Sequence, residues 1–183
     1  MFIQTESTPN PSTLKFIPGC DVMGQGTADY TDAGEAGNSP LAQRLFEADG
    51  VEGVFLGSDF ITITKSASQE WETLKPQLLG AIMEHFTEGR AVIVEASNSE
   101  HAGDDDADGV VSQIKELLDT RVRPAVAQDG GDIVFRSFEN GIVYLKMQGA
   151  CSGCPSSTAT LKHGIENMLR HYIPEIAEVR AVE

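Results

Sequence analysis

The sequence predicts an α+β protein of two small domains joined by an acidic flexible linker. Three observations carry that prediction. Short strand-like runs alternate with helices whose apolar residues recur every three or four positions. Pro, Gly and Asn-Gly punctuation separates them at short intervals. Residues 98–109 hold five acidic side chains, no Lys or Arg, and no large apolar residue. Such a stretch repels itself and cannot offset the entropy of ordering, so it divides a domain at 1–97 from one at 110–183.

The first domain reads ββαββα. Met1–Glu6 forms a strand, and Thr8-Pro9-Asn10-Pro11 a turn, because two prolines fix φ and remove donors. Thr13–Ile17 is a second strand, closed by Pro18-Gly19. Residues 20–38, rich in Gly and Asp, read as a long loop or irregular strand. Ser39 caps a helix with Pro40 at its first position, and Gly50 stops it. Val51–Leu56 and Phe60–Lys65 flank Gly57-Ser58-Asp59 as a hairpin. A helix over about Gln69–Phe86 carries a stripe of Trp71, Leu74, Leu78, Ile82 and Phe86. His85, at its end, reads as a surface or capping residue.

The second domain reads αββαβ. Asp108 caps a helix over Gly109–Val122, with Val111, Ile114, Leu117, Leu118 and Val122 on one face, and Pro124 stops it. Asp129-Gly130-Gly131-Asp132 is a tight turn. Ile133–Phe138 and Ile142–Met147 are joined by Glu139-Asn140-Gly141, a strong hairpin signal. Cys151-Ser152-Gly153-Cys154 then leads into a helix begun by Pro155, with Leu161, Ile165, Met168, Leu169 and Tyr172 on its apolar face. Ile176–Val182 is the last strand.

Charge excludes some functions. The chain of 183 residues has a net charge of −15, distributed as −9 over 1–97, −5 over 98–109 and −1 over 110–183. Acidic excess repels phosphates, so nucleic acid and anionic membranes are not expected partners. No run approaches the ~18 apolar residues of a membrane span. Three cysteines do not make a disulfide framework. The Asp104–Asp106 and Asp108 cluster lacks the ligand spacing of a calcium loop.

The chemistry lies at Cys151 and Cys154, between a strand end and a helix N-terminus. A helix N-terminus favours thiolate, so a lowered thiol pKa is expected. Gly149, Gly153 and Pro155 shape the loop. Thiolates select zinc, Cu(I) or iron–sulfur clusters. One pair gives two ligands where four are usual. His163 and His171, eight residues apart on one helix, cannot both face the pair and read as surface residues. A homodimer completes a four-cysteine set by symmetry and suits a cubane cluster. Two alternatives stay open: a thiol–disulfide oxidoreductase and a zinc-binding module. Cys20, alone in a loop, reads as a neutral thiol.

Asp129-Gly130-Gly131-Asp132 followed by Gly149-Ala150-Cys151-Ser152-Gly153-Cys154-Pro155-Ser156-Ser157 resembles the C-terminal domain of NifU and Nfu-type proteins. Phe2-Ile3-Gln4-Thr5-Glu6, Thr8-Pro9-Asn10-Pro11, Leu14-Lys15-Phe16 and Gly57-Ser58-Asp59-Phe60 resemble the Nfu N-terminal domain. The resemblance spans nearly the whole chain apart from the linker. It implies a non-enzymatic iron–sulfur carrier or scaffold. It implies that Cys151 and Cys154 of two subunits hold a [4Fe–4S] cluster, received from upstream assembly machinery and passed to apo iron–sulfur client proteins. It also suggests partner recognition by the N-terminal domain. Met1 directly abutting the domain resembles bacterial members, so a cytoplasmic bacterial protein is expected.

Overall fold

Short β-runs bounded by turn residues pair locally, and the helices lay their apolar stripes against them. The computed structural model describes residues 1–94, 109–152 and 155–182. The chain divides into two compact units, Met1–Ser99 and Glu100–Glu183, each mixed helix and strand as expected. The acidic stretch 98–109 lies outside the described residues except for Gly109.

The first unit is an antiparallel five-stranded sheet with helices. Its strands are β1 (Gln4–Ser7), β2 (Thr13–Ile17), β3 (Ala28–Tyr30), β4 (Val51–Leu56) and β5 (Ile61–Lys65), in the order β1-β2-β5-β4-β3. Its helices are α1 (Pro40–Phe46) and α2 (Trp71–Thr87). The β1–β2 turn is closed by side chains. The Thr8 hydroxyl donates to Asn10 O at 2.8 Å and also bonds the Thr13 hydroxyl, while Ser12 N–H donates to Asn10 Oδ1 at 3.0 Å. The Thr-Pro-Asn-Pro motif is therefore accounted for as turn chemistry. Ser39 caps α1 as expected, accepting Ala42 N–H at 3.1 Å and donating to Val92 O at 2.7 Å.

Two expectations need correction in this unit. Residues 20–38, read as a long loop or irregular strand, contain a regular strand, β3 at Ala28–Tyr30, which pairs with β4 at the sheet edge. A three-residue strand is too short for its periodicity to show. His85, expected at the surface, is fully buried. It lies three residues after Ile82 and seven after Leu78, so it continues the stripe Leu74–Leu78–Ile82 into the core. Each of those three apolar side chains contributes about 1.5–3 kcal/mol through burial.

The second unit packs α3 (Val110–Leu117), α4 (Arg123–Gln128) and α5 (Pro155–Tyr172) with β6 (Gly131–Glu139), β7 (Ile142–Gly149) and β8 (Glu178–Val182). Strand order is β6-β7-β8; β6 and β7 form an antiparallel hairpin, and β8 returns parallel to β7 after α5. Asn140 (φ 51°) and Gly141 (φ 78°) make the hairpin turn left-handed at both central positions, as Asn-Gly predicts. Its core includes Ile114, Leu118, Ile133, Val143, Leu145, Leu169 and Val179.

Pro124 does not stop the first helix of this unit. Leu118–Val122 widen into a π-turn, and Pro124 enters α4 at its N-terminal turn, where a missing N–H is tolerated. Tyr172, assigned to the apolar face of α5, is about half exposed, with the Arg121 guanidinium 5.2 Å over its ring.

Burial pushes the His85 pKa below its ordinary value, the nearby Arg44 and Arg90 charges push the same way, and the Ala91 backbone and Glu88 offset part of this. The Ala91 backbone lies near the ring, but neither ring nitrogen makes a well-formed hydrogen bond among the described residues. The neutral ring is thus the form that the fold accommodates. Below about pH 6.5 the unfolded chain takes up a proton that the folded unit refuses. Stability of this unit should therefore fall as pH drops from about 7 towards 5, and be insensitive to this group above about 7.5. Urea unfolding followed by the fluorescence of Trp71, the single tryptophan, should show the midpoint falling over that range, and falling less in His85→Leu. Equal pH slopes for the two proteins would contradict this.

Candidate functional site

The site begins where β7 ends. Gly149, its last residue, lies opposite Gly131, the first residue of β6. Past that pair the backbone turns sharply. Ala150 N–H donates to Gly130 O at 3.1 Å, Cys151 N–H to Gln148 O at 3.3 Å, and Ser152 N–H to Gly149 O at 3.1 Å. Thr158, in the first turns of α5, donates its hydroxyl to Cys151 O at 3.1 Å. Cys151 is therefore held by the hairpin end on one side and by α5 on the other. Its side chain is 6% exposed and belongs to the core of the unit.

The room for that side chain comes from Gly131. A β-carbon built there would run into Cys151 Sγ, and would stand 2.9 Å from Cys151 N and 3.0 Å from Gln148 O. Two of those three neighbours are backbone atoms, which cannot swing aside. Glycine is needed at 131 for the close approach itself, since its φ is not in the left-handed region.

Next to Gly131, Asp132 is buried and multiply bonded. Arg123 Nε donates to its Oδ1 and Arg123 Nη2 to its Oδ2, both at 2.8 Å. Ile133 N–H donates to Oδ1 at 2.8 Å. Arg123 Nη1 also reaches Asp119 Oδ1 at 3.1 Å. The two-pronged geometry is the strong form of an arginine–carboxylate pair. The hydrogen bond to Asp132 is the main cause that raises the Arg123 pKa, with burial opposing it. Removing one partner of such a buried pair typically costs about 3–5 kcal/mol. The low end applies here, because more than a third of the Arg123 side chain is wet.

Electrostatics at Cys151 reverse the sequence expectation. Burial pushes its thiol up to about 12, and the Asp129 and Asp132 carboxylates add to the rise. Desolvation and two like-signed neighbours outweigh the helix N-terminus. The group is a protonated thiol at neutral pH, and a metal must displace that proton to bind.

The other named residues divide clearly. Cys154 and Gly153 lie outside the described residues. Gly149 turns the chain with φ 60°, and Pro155 opens α5. His163 and His171 are exposed on α5, as expected. Cys20 is an exposed free thiol in the first unit. Among the described residues, no group of three or more His, Cys, Asp or Glu side chains could hold a metal ion. Sequence reasoning missed the Arg123–Asp132 pair. Nine residues separate the two across a turn, and no helix or strand period links them.

Residues 3–89 match the family model described as scaffold protein Nfu/NifU N terminal, and residues 114–180 match the NifU-like domain. The chain belongs to the Nfu/NifU scaffold family. Among curated relatives of the family, the mitochondrial NFU1 iron-sulfur cluster scaffold homologs of Drosophila persimilis and Drosophila virilis are each 55% identical. Both alignments cover 100% of this chain, and respectively 65% and 62% of the relatives. The chain thus spans a little under two thirds of the length of the relatives it matches. A NifU-like protein from Saccharomyces cerevisiae, solved by solution NMR, aligns at 30% identity with a TM-score of 0.47. The alignment covers 51% of this chain and 85% of that one.

The mitochondrial names overturn the expected bacterial cytoplasmic location. That expectation rested on Met1 standing directly before the first strand. The relatives extend beyond the span of this chain, and the start of a folded domain carries no address for what precedes it.

Two glycine substitutions separate the site from the scaffold around it. Gly131→Ala should lower the urea stability of the full chain by about 1–3 kcal/mol through overpacking. Gly164→Ala, on the exposed face of α5 with nothing within 4 Å of the added carbon, should raise it by about 0.5–1 kcal/mol. Equilibrium unfolding followed by circular dichroism checks both signs. A neutral Gly131→Ala would show that the sulfur is not held where the structure puts it.

Proposed function

We propose that this chain is a non-enzymatic carrier of iron–sulfur clusters, in which Cys151 and Cys154 are the ligands. The observation behind the proposal is a cysteine side chain fixed at a strand–helix junction of a NifU-like domain, in a Cys-x-x-Cys sequence. Two thiols per chain leave a four-ligand metal centre half made. Two copies related by a two-fold axis complete it, and a [4Fe–4S] cluster suits four thiolates shared in that way. The cluster is then cargo. A centre whose ligands come from two chains is exposed when the chains part, which favours delivery to apo-proteins over permanent electron transfer. The relatives' names, which describe iron–sulfur cluster scaffolds, support the same role. Supply from an upstream assembly machinery belongs to the proposal, as does partner recognition by the first unit.

The burial of Cys151 weighs against the oxidoreductase alternative. A dithiol enzyme needs an attacking thiolate with a lowered pKa, whereas the Cys151 thiol is pushed up to about 12. The same value suits a ligand that gives up its proton only to a metal. A zinc module would use the same thiolates, and metal analysis distinguishes it.

Anaerobic reconstitution with ferrous iron and sulfide should give a brown protein with about two irons and two sulfides per chain, one four-iron cluster per pair. Cys151→Ser and Cys154→Ser should each abolish it, and Cys20→Ser should leave it unchanged. A wild-type protein that stays colourless, or that takes up zinc to the exclusion of iron, contradicts the proposal.

A further inference from the structure

The π-turn at Leu118–Val122 is an irregularity that the helix does not need for its own stability. One extra residue in a turn rotates everything after it by about 100° around the helix axis. The residue delivered just after that rotation is Arg123, and it lands as a fork on Asp132, with both contacts at 2.8 Å. Asp119, inside the π-turn, holds the third guanidinium nitrogen at 3.1 Å. Asp132 is 3% exposed and also takes the N–H of Ile133. It is covalently joined to Gly131, the residue whose missing β-carbon leaves room for Cys151 Sγ. Gly130, on the other side, accepts the N–H of Ala150, the residue before Cys151. The corner at 130–132 and the turn at 148–151 are therefore joined; Asp129 and Gly130 N–H already hold the corner to the end of α4 through Val126 O and Ala127 O, and Arg123 adds the side-chain tie at Asp132.

We propose that Arg123 is a positioning residue for Cys151: through Asp132 it fixes the backbone of Gly131, and so fixes where the Cys151 sulfur points. This rests on the reading of Cys151 as a cluster ligand only for its biological meaning; the positioning itself is a property of the chain. Arg123 acts on the sulfur through Asp132 and Gly131. An ion pair that merely stabilised the unit would change the unfolding midpoint and leave the thiol where it is.

The test uses the full chain carrying Cys20→Ser and Cys154→Ser, so that Cys151 is the single thiol. Its reaction with 4,4′-dithiodipyridine is timed at one fixed pH, well below the denaturation midpoint. Arg123→Met keeps the length of the side chain and removes the fork. It should raise the Cys151 rate about tenfold as the corner loosens. Arg123→Lys, which restores a cation without the two-pronged geometry, should fall between. Charge alone predicts the opposite sign, because losing a cation beside the Asp129 and Asp132 carboxylates makes the thiolate harder to form. Ile173→Ala, at a fully buried position in the same unit, matches the destabilisation expected of the broken pair and should accelerate the reaction clearly less than Arg123→Met. Asp132→Asn breaks the pair without stranding a carboxylate in the interior; because losing that charge by itself eases thiolate formation, its acceleration should exceed that of Asp129→Asn, which removes the neighbouring carboxylate outside the pair.

A second readout uses the protein with all its cysteines. Reconstituted Arg123→Met should bind iron with a visible circular dichroism spectrum that differs from wild type. Rates in Arg123→Met and Asp132→Asn no faster than in Ile173→Ala would overturn the proposal. Should wild type and variants alike take up no iron while the tenfold rate ratio holds, the cluster reading falls and the positioning role stands.

Discussion

At the corner where β6 begins, a β-carbon on residue 131 and the sulfur of Cys151 would claim the same volume. Only glycine at 131 lets both backbones stay where the sheet puts them. The hairpin register brings Gly131 opposite Gly149, two residues before Cys151. The turn bonds from Ala150 and Cys151 close the gap, and α5 meets the same turn through Thr158. Asn140-Gly141 at the far end of the hairpin and the bulge between Phe135 and Ser137 together set that register, since without the bulge Gly131 would face Ala150. The hairpin signal and the site are thus one piece of architecture read at its two ends.

Burial and the proposed ligand role pull against each other at this position. A side chain with 6% exposure contributes to a small core, while a cluster ligand must give up its proton and reach a shared centre. The raised thiol pKa expresses that tension. A buried, protonated thiol is a poor nucleophile, because the thiolate is the reactive form. The second unit pairs that guarded thiol with near-neutral charge, −1 over residues 110–183, while the acidic excess of the chain lies before it. In the first unit, the residues that carry its family resemblance do structural work. Asn10 and its threonine neighbours close a turn, and Phe16 fills the core.

Much of the fold was legible where local chemistry decides it. Ser39-Pro40, Asn140-Gly141 and the Leu74–Leu78–Ile82 stripe each name their own structure. The failures fall mostly where no period or turn signal carried the deciding feature. Pro124 reads as a stop until a π-turn re-aims the helix. His85 reads as a helix-end residue although it lies on the buried stripe of α2. The strand at Ala28–Tyr30 exists because β4 offers it an edge. At the site, Cys151 was legible from its motif, and Gly131 from its place in the Asp-Gly-Gly-Asp turn, though not its contact with the sulfur. Asp132 was legible as a turn residue, not as the buried partner of Arg123. The sign of the thiol pKa shift was misread, because a helix N-terminus is visible in sequence while burial and two carboxylates in space are not.

The central claim is that two copies of the chain share one cluster through Cys151 and Cys154. Native mass spectrometry of the anaerobically loaded protein tests it most directly, because it weighs chains, iron and sulfide together. The account predicts a species of two chains with four irons and four sulfides, which returns to lighter, metal-free chains when the cluster is removed. A single chain that carries a complete four-iron cluster by itself would contradict it.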